Sequence, residues 1–270
     1  IQSELLTELV KTGRPVVLVL ISGRPYAIGP AADQLAAAVQ AFFPGQEGSA
    51  AIAGVLSGRV VPSGKLPIEM PLLASAERSS YLAAPLAGRS DVSSVDPTPL
   101  FAFGHGLSYT TFAYSDLSVR PVPDRDGGDG RPGPGPGPGP GERARIGTDG
   151  AAEIACTIRN TGAVGGAEVV QLYLRDPVAQ VTRPLRALAG FARVWLEPGA
   201  ASRVTFRLHA DRTAFHGVSG RRVVEAGVIE VGVGSSSADL RLHGEIELCG
   251  PERQAGADRV LTTGVTVLGL

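Results

Sequence analysis

Residue types that most often carry chemistry are scarce in this chain. Its 270 residues include two cysteines, four histidines, one methionine and one tryptophan. Two cysteines, Cys156 and Cys249, are too few for the disulfide framework that holds small secreted domains together. Each lies in or beside a strand-like run, so two separate buried thiols are expected, with a single disulfide as the alternative. The histidines are scattered and no cysteine or histidine spacing suits a metal, so neither a metal nor another cofactor is expected. Neither sign of charge is in excess, with 25 Lys and Arg against 26 Asp and Glu. That balance supplies no field for nucleic acid or an anionic membrane. No apolar run reaches about eighteen residues, so no membrane-spanning helix is expected. No signal-peptide pattern is visible either. The chain opens on Ile1, directly in a helical pattern, as a fragment or a processed product would, and cytoplasmic and secreted locations both stay open.

What the chain does have is ample apolar content and clear punctuation. The hydrophobic share of 43% suffices for a buried core, and the length suits one large or two ordinary domains. Ile1, Leu5, Leu6 and Leu9 share one helical face, and Gly13 with Pro15 ends that helix. "PVVLVLIS" then reads as a strand covered on both faces. Helix followed by buried strand is the order of an α/β domain with a parallel sheet. A short helix near Ala31 to Leu35 and a strand over Ala37 to Phe43 come next. "GQEGSAAIAGVLSG" is a further helix with Glu47 in its first turn, where a negative charge suits the helix dipole. A short strand is expected over Leu66 to Met70, then a polar loop from Leu72 to Thr98. So small a unit would leave one sheet edge bare.

From Gly150 onward the pattern changes to short alternating strands separated by turns, with no helix between them. That spacing argues a β-sandwich. Six strands or a little more are counted, and "FAYSDLSV" (Phe112 to Val119) supplies the missing first one, with Phe112, Tyr114 and Leu117 on a half-buried surface. The alternating Pro-Gly run from Gly130 to Glu142 can form neither helix nor sheet. The strand count places it inside the sandwich, as an insertion at about 121–147, rather than as a tether between domains. Loop closure costs only about 0.6 kcal/mol per doubling of length, so such an insertion is tolerable. The expected division is an α/β unit at 1–100, a junction at 101–111, a sandwich at 112–249 and a tail at 250–270 that is either unstructured or one more strand.

The motifs, in order, resemble a known family. "PLFAFGHGLSYTTFAYSDLSV" is similar to the junction between the α/β-sandwich domain and the fibronectin type III-like domain of glycoside hydrolase family three. "TGRPVVLVLISGRPYAI" and "AFFPGQEGSAAIAGVLSGRVVPSGKLPIEMP" look like that α/β-sandwich domain. "RNTGAVGGAEVVQLYLRDPVAQVTRPLRALAGF" and "VVEAGVIEVGVGSSSADLRL" look like the C-terminal module. The resemblance implies a partial α/β-sandwich domain followed by an all-β, immunoglobulin-like fibronectin type III-like sandwich. It implies a retaining β-glucosidase-like hydrolase acting on β-linked glucosides or related oligosaccharides at non-reducing ends. Such an enzyme needs a nucleophile and an acid/base carboxyl about 5 Å apart. In the family the nucleophile is an Asp on an N-terminal (β/α)8 barrel, and the acid/base Glu lies just before the helix that opens this chain. Both are expected to be missing here. No catalytic residue is therefore carried over, no substrate-binding residue is assigned, and the isolated chain is expected to be inactive.

The remaining candidates read as structural. Glu47, Glu69, Asp91 and Asp96 have no evident pairing. His105, between Gly104 and Gly106, suits a tight turn where backbone passes close to a neighbour, a junction turn whose glycines permit positive φ and whose imidazole is hydrogen-bonded locally, with a substrate contact as the alternative. "VGVGSSS" (Val231 to Ser237) lacks the following helix and Lys of a phosphate loop, so a turn is expected. Trp195 suits core or edge packing of a sandwich strand, with stacking on a sugar as the alternative. The alternative function is a non-catalytic carbohydrate- or protein-binding module, which needs a row of exposed aromatics. Only fourteen Phe, Trp and Tyr are present, and most fall at core-like positions.

Overall fold

The structure is a computed structural model, and it describes residues 2–73, 80–92, 94, 96–123 and 143–270. The Pro-Gly run from Gly130 to Glu142 lies outside the described residues. Among those described, no helix is long and apolar enough to cross a membrane.

Helix α1 (Gln2–Lys11) carries Glu4 in its first turn and Lys11 in its last, each on the favourable end of the helix dipole. Gly13, at φ 69°, turns the chain out of it. No residue of α1 is buried, and Leu5 is 60% exposed. Strands β1 (Val17–Leu20) and β2 (Ala37–Gln40) pair in parallel, Val17 opposite Ala37 and Leu20 opposite Gln40. A 3-10 helix, Gly29–Gln34, connects them. The strand expected to reach Phe43 stops at Gln40 because Phe42 takes a positive φ of 50°, which breaks the pleat. Helix α2 (Gly48–Leu56) follows, with Glu47 one residue ahead of it, exposed and making no side-chain cap. Strand β3 (Met70–Pro71) pairs antiparallel with β4 (Pro99–Phe101). The strand expected over Leu66 to Met70 is displaced, because the Leu66 backbone instead exchanges hydrogen bonds with Gly104 and His105.

The second unit is a two-sheet sandwich. Its strands are β5 (Phe112–Pro121), β6 (Ala144–Gly147), β7 (Ala151–Asn160), β8 (Gly166–Arg175), β9 (Ala187–Leu196), β10 (Ala201–His209), β11 (Phe215–His216), β12 (Arg222–Val224), β13 (Gly227–Ser236), β14 (Asp239–Cys249), β15 (Arg253–Gln254) and β16 (Gly264–Gly269). One sheet has the order β16-β10-β7-β5 and the other β6-β14-β13-β8-β9. Phe206, Ile154, Ile158, Val204 and Cys156 from the first sheet pack on Val170, Leu172, Val231, Val233 and Ile246 from the second. Both cysteines are free; Cys156 is in this core and Cys249 is only partly buried. Burial pushes the Cys156 thiol up to about 11, so it stays protonated and unreactive.

Three features of the sandwich correct or complete the sequence reading, the third by deciding between the two alternatives left open for the tail. First, the expected insertion at 121–147 ends early, since Ala144–Gly147 forms β6, parallel to β14, with Ala144 and Ile146 buried. Second, β5 is bulged between Ser115 and Ser118, with Asp116 at φ 54°. The bulge carries the inward face from Phe112 and Tyr114 over to Leu117 and Val119. Third, the tail adds strand β16 to the edge of β10. Asp211 ties that tail down: Arg253 and the Val260 N–H donate to its carboxylate. Burial alone would raise the Asp211 pKa, but these donors outweigh it and hold the carboxyl below its usual range.

Candidate functional site

A cluster of buried polar groups, including Glu168, Gln171, Ser235 and Ser237, lies where the two units meet, around Gly104–Gly106. Two backbone requirements place it. Gly104 adopts φ +80°, and a Cβ there would overlap Gln171 Oε1 and crowd the Tyr173 hydroxyl. Gly106 has no such φ; it is needed because a Cβ would overlap the Gly64 carbonyl oxygen. So the close approach expected of this turn holds at both glycines, while the positive φ holds at Gly104 only.

Gln171 and Tyr173 lie on the face of β8 away from the sandwich core, yet both are buried. Gln171 Nε2 donates to the carbonyls of Gly104 and Ser235, and the Tyr173 hydroxyl donates to Gln171 Oε1. Tyr81 stacks on Phe103 at 3.9 Å and meets Tyr173 edge-on. Its hydroxyl accepts from the Leu188 N–H. A nearly buried ion pair crosses the same junction. Lys65 Nζ is 3.0 Å from Glu168 Oε1, with side chains 13% and 7% exposed. Lys65 also donates to the Gly106 carbonyl at 3.0 Å. Nearby, Asn160 Oδ1 accepts from Thr110 Oγ1 while Nδ2 donates to the Val164 and Leu196 carbonyls.

The candidates from the sequence take these places. His105 stacks on Phe101 at 5.0 Å; among the described residues no side-chain hydrogen bond holds its imidazole, contrary to expectation, and the stack holds it instead. Burial first and the Lys65 charge second hold His105 below its usual pKa, with Asp239 opposing, so the ring is neutral at pH 7. Glu69 is buried just ahead of β3. Asp91 is exposed, and Asp96 accepts from the Thr98 N–H in a local turn. Val231–Ser236 is strand rather than turn; only Ser237 and Ala238 reverse the chain. Gly234 permits the backbone of Asp239 to pass against it, and the Ser237 N–H donates to the Phe103 carbonyl. Trp195 is on edge strand β9 but outside the core, 55% exposed, with Nε1 donating to Glu197.

Two carboxylates do converge at a place the sequence did not mark. Glu225 and Glu252 both accept from Gln180 Nε2, and that amide fills the gap between them. Among the described residues no group of three or more His, Cys, Asp and Glu is arranged for a metal. The junction thus offers a compensated Lys–Glu pair, a neutral histidine and saturated amides, an arrangement suited to fixing two units rigidly.

Comparison with known proteins gives this junction its context. The glycosyl hydrolase family 3 C-terminal domain matches residues 1–109, and the fibronectin type III-like domain matches residues 168–237. The chain belongs to glycoside hydrolase family 3. It is 35% identical to a β-xylosidase of Formosa agariphila, over 88% of this chain and 30% of that protein. It is also 35% identical to a lysosomal β-glucosidase of Dictyostelium discoideum, over 88% of this chain and 27% of that one. Among solved structures, a β-glucosidase from Erythrobacter marinus superposes with a TM-score of 0.77 at 35% identity, covering 92% of this chain and 30% of its own. The chain therefore spans about a third or less of these family 3 relatives and corresponds to their C-terminal portion. Its α/β unit followed by a fibronectin type III-like sandwich agrees with the architecture anticipated from the motifs.

Proposed function

We propose that this chain serves as the C-terminal portion of a retaining β-glycosidase that cleaves β-glucosides or β-xylosides from non-reducing ends, with both catalytic carboxyls supplied by sequence outside it. The observation that carries the reading is the match across nearly the whole chain to glycosidases about three times longer. Two structural facts support it. The carboxylates at the junction are engaged in ion pairs and turns. The α/β unit also leaves apolar surface uncovered, with Leu5, Val17 and Ile21 exposed and Phe43 79% exposed. An upstream (β/α)8 barrel and the rest of the α/β domain would cover it. In that assembly the rigid junction holds the α/β unit against the barrel and keeps water from the cleft.

The purified chain, given aryl β-glucosides and aryl β-xylosides, is expected to show no turnover above the uncatalysed rate. Hydrolysis that co-purifies with the chain would overturn the reading. We also propose the division into an α/β unit at 1–100, a junction at 101–111 and a sandwich from 112, with the Pro-Gly run internal to the sandwich. Support comes from β5, before the run, pairing antiparallel along β7, after it. A protease site placed between Pro123 and Arg143 should yield two pieces that still co-elute after cleavage. Their separation in native buffer would show the run to be a tether.

A second reading, carbohydrate binding without catalysis, is favoured by one observation: Phe191 and Trp195 stand exposed on the same face of β9. Titration with cello-oligosaccharides separates the two, since the glycosidase-portion reading expects no binding by the isolated chain.

A further inference from the structure

Beneath the segment that joins β8 to β9 lies a cavity of about 40 Å³. Its apolar wall includes Leu174, Leu188 and Ile229, and three charged side chains reach it, Asp176, Arg183 and Arg212. Among the described residues, two cationic donors there have no acceptor. Arg183 donates through Nη2 to the Thr213 carbonyl and lies 4.1 Å over the Phe215 ring, but its Nη1 is buried without a partner. Arg212 donates through Nη1 and Nη2 to the carbonyls of Leu261 and Ala189, while its Nε is likewise buried and unpartnered.

The charges around the cavity leave it positive. Asp176 acts on Arg183 electrostatically, but it is a single carboxylate set against two guanidiniums in the lining. Glu225, which also faces Arg183, is taken up by the Gln180 amide and backbone N–H. Arg222 adds a further positive charge toward Arg183. Among the described residues, Arg212 hydrogen-bonds only to carbonyl oxygens. Buried guanidinium donors without an acceptor are costly, and a bound anion meets both the hydrogen-bonding and the charge deficit. A water needs roughly 10–15 Å³ by the same measure, so the space admits a small ion and excludes a sugar or a nucleotide.

We propose that this cavity binds a small monovalent inorganic anion of the halide class, chloride in ordinary salt, held between Arg183 Nη1 and Arg212 Nε. The site braces the β8–β9 connection against the 3-10 turn at Ala210–Thr213.

The test is thermal unfolding of the full chain at constant ionic strength, with sodium gluconate replaced stepwise by sodium chloride or bromide. Tm is expected to rise along a saturable curve with either halide. Arg212→Gln should weaken the halide response at least about tenfold, because one of the two charge-assisted donors is lost. Asp176→Asn keeps the fold and removes the competing negative charge, so it should shift the midpoint of the halide curve to lower concentration. Bromide-soaked crystals should show an anomalous peak in the cavity. Identical melting in gluconate and halide, an unchanged midpoint in Asp176→Asn, or water alone in the cavity would each overturn the proposal.

Discussion

Gly104→Ala is expected to destabilise the chain by about 3 kcal/mol or more, combining roughly 1–2 kcal/mol for a left-handed backbone with the loss of buried hydrogen bonds at about 1–3 kcal/mol each. Both terms come from the same atom. The new Cβ inherits φ +80° and drives into Gln171 Oε1, which accepts the Tyr173 hydroxyl. Displacing that oxygen leaves the hydroxyl and the Gly104 and Ser235 carbonyls buried without their partners. Gly64→Ala is the matched control, because a Cβ at Gly64 meets nothing within 4 Å. It should change stability by less than about 0.5 kcal/mol, as surface substitutions usually do. Urea denaturation of the two variants decides the matter. Equal midpoints would show that the junction turn is not tightly packed.

Lys65→Met is expected to cost about 3–5 kcal/mol, the usual penalty for leaving half of a buried ion pair unpaired. Glu168 would keep the Val169 N–H as donor but lose the ammonium 3.0 Å away. Because Lys65 belongs to the α/β unit and Glu168 to β8, the damage should concentrate at the boundary. Unfolding of this variant is then expected in two steps, with the first unit releasing before the sandwich. Lys65→Met combined with Glu168→Leu should recover most of the loss, since apolar replacement of both partners is often neutral. The four-corner cycle isolates the pair term. A double variant no more stable than Lys65→Met would mean that the pair itself is not what couples the units.

Much of the fold can be read from pattern alone, for identifiable reasons. "VLVL" and "AAVQ" pair as parallel strands, as the helix-then-strand order implies, but the cover expected on both faces of "PVVLVLIS" is not there, since Val17 and Ile21 are exposed. The sandwich strands alternate, so their inward residues follow directly from parity, as Val204, Phe206 and Leu208 do on β10. Even the β5 bulge has a trace in the sequence. The inward residues run Phe112, Tyr114, then Leu117, a spacing of two followed by three, which a regular strand cannot hold on one face. The site was less legible. Val169, Gln171 and Tyr173 read as the second face of a half-buried strand, and nothing local says that Gln171 and Tyr173 are buried by another unit. His105 invites a hydrogen bond by its chemistry and receives a stacked ring. Arg183 and Arg212 are ordinary surface residues by composition, and only the return of the chain through Ala210–Thr213 brings them to one cavity.

The sequence by itself determined the two architectures, their order, the strand that precedes the Pro-Gly run and the family resemblance, because these rest on local periodicity and on motifs that short-range sterics enforce. Tertiary structure alone decided which polar side chains became buried, that the tail completes a sheet edge, and that Gly106 answers to a neighbouring carbonyl rather than to its own φ. Such facts depend on what lies across a contact, where the partner is 40 to more than 100 residues away in the chain, as Lys65 is from Glu168 and Gly104 from Gln171. Burial is a property of the pair, and no single stretch of sequence carries it.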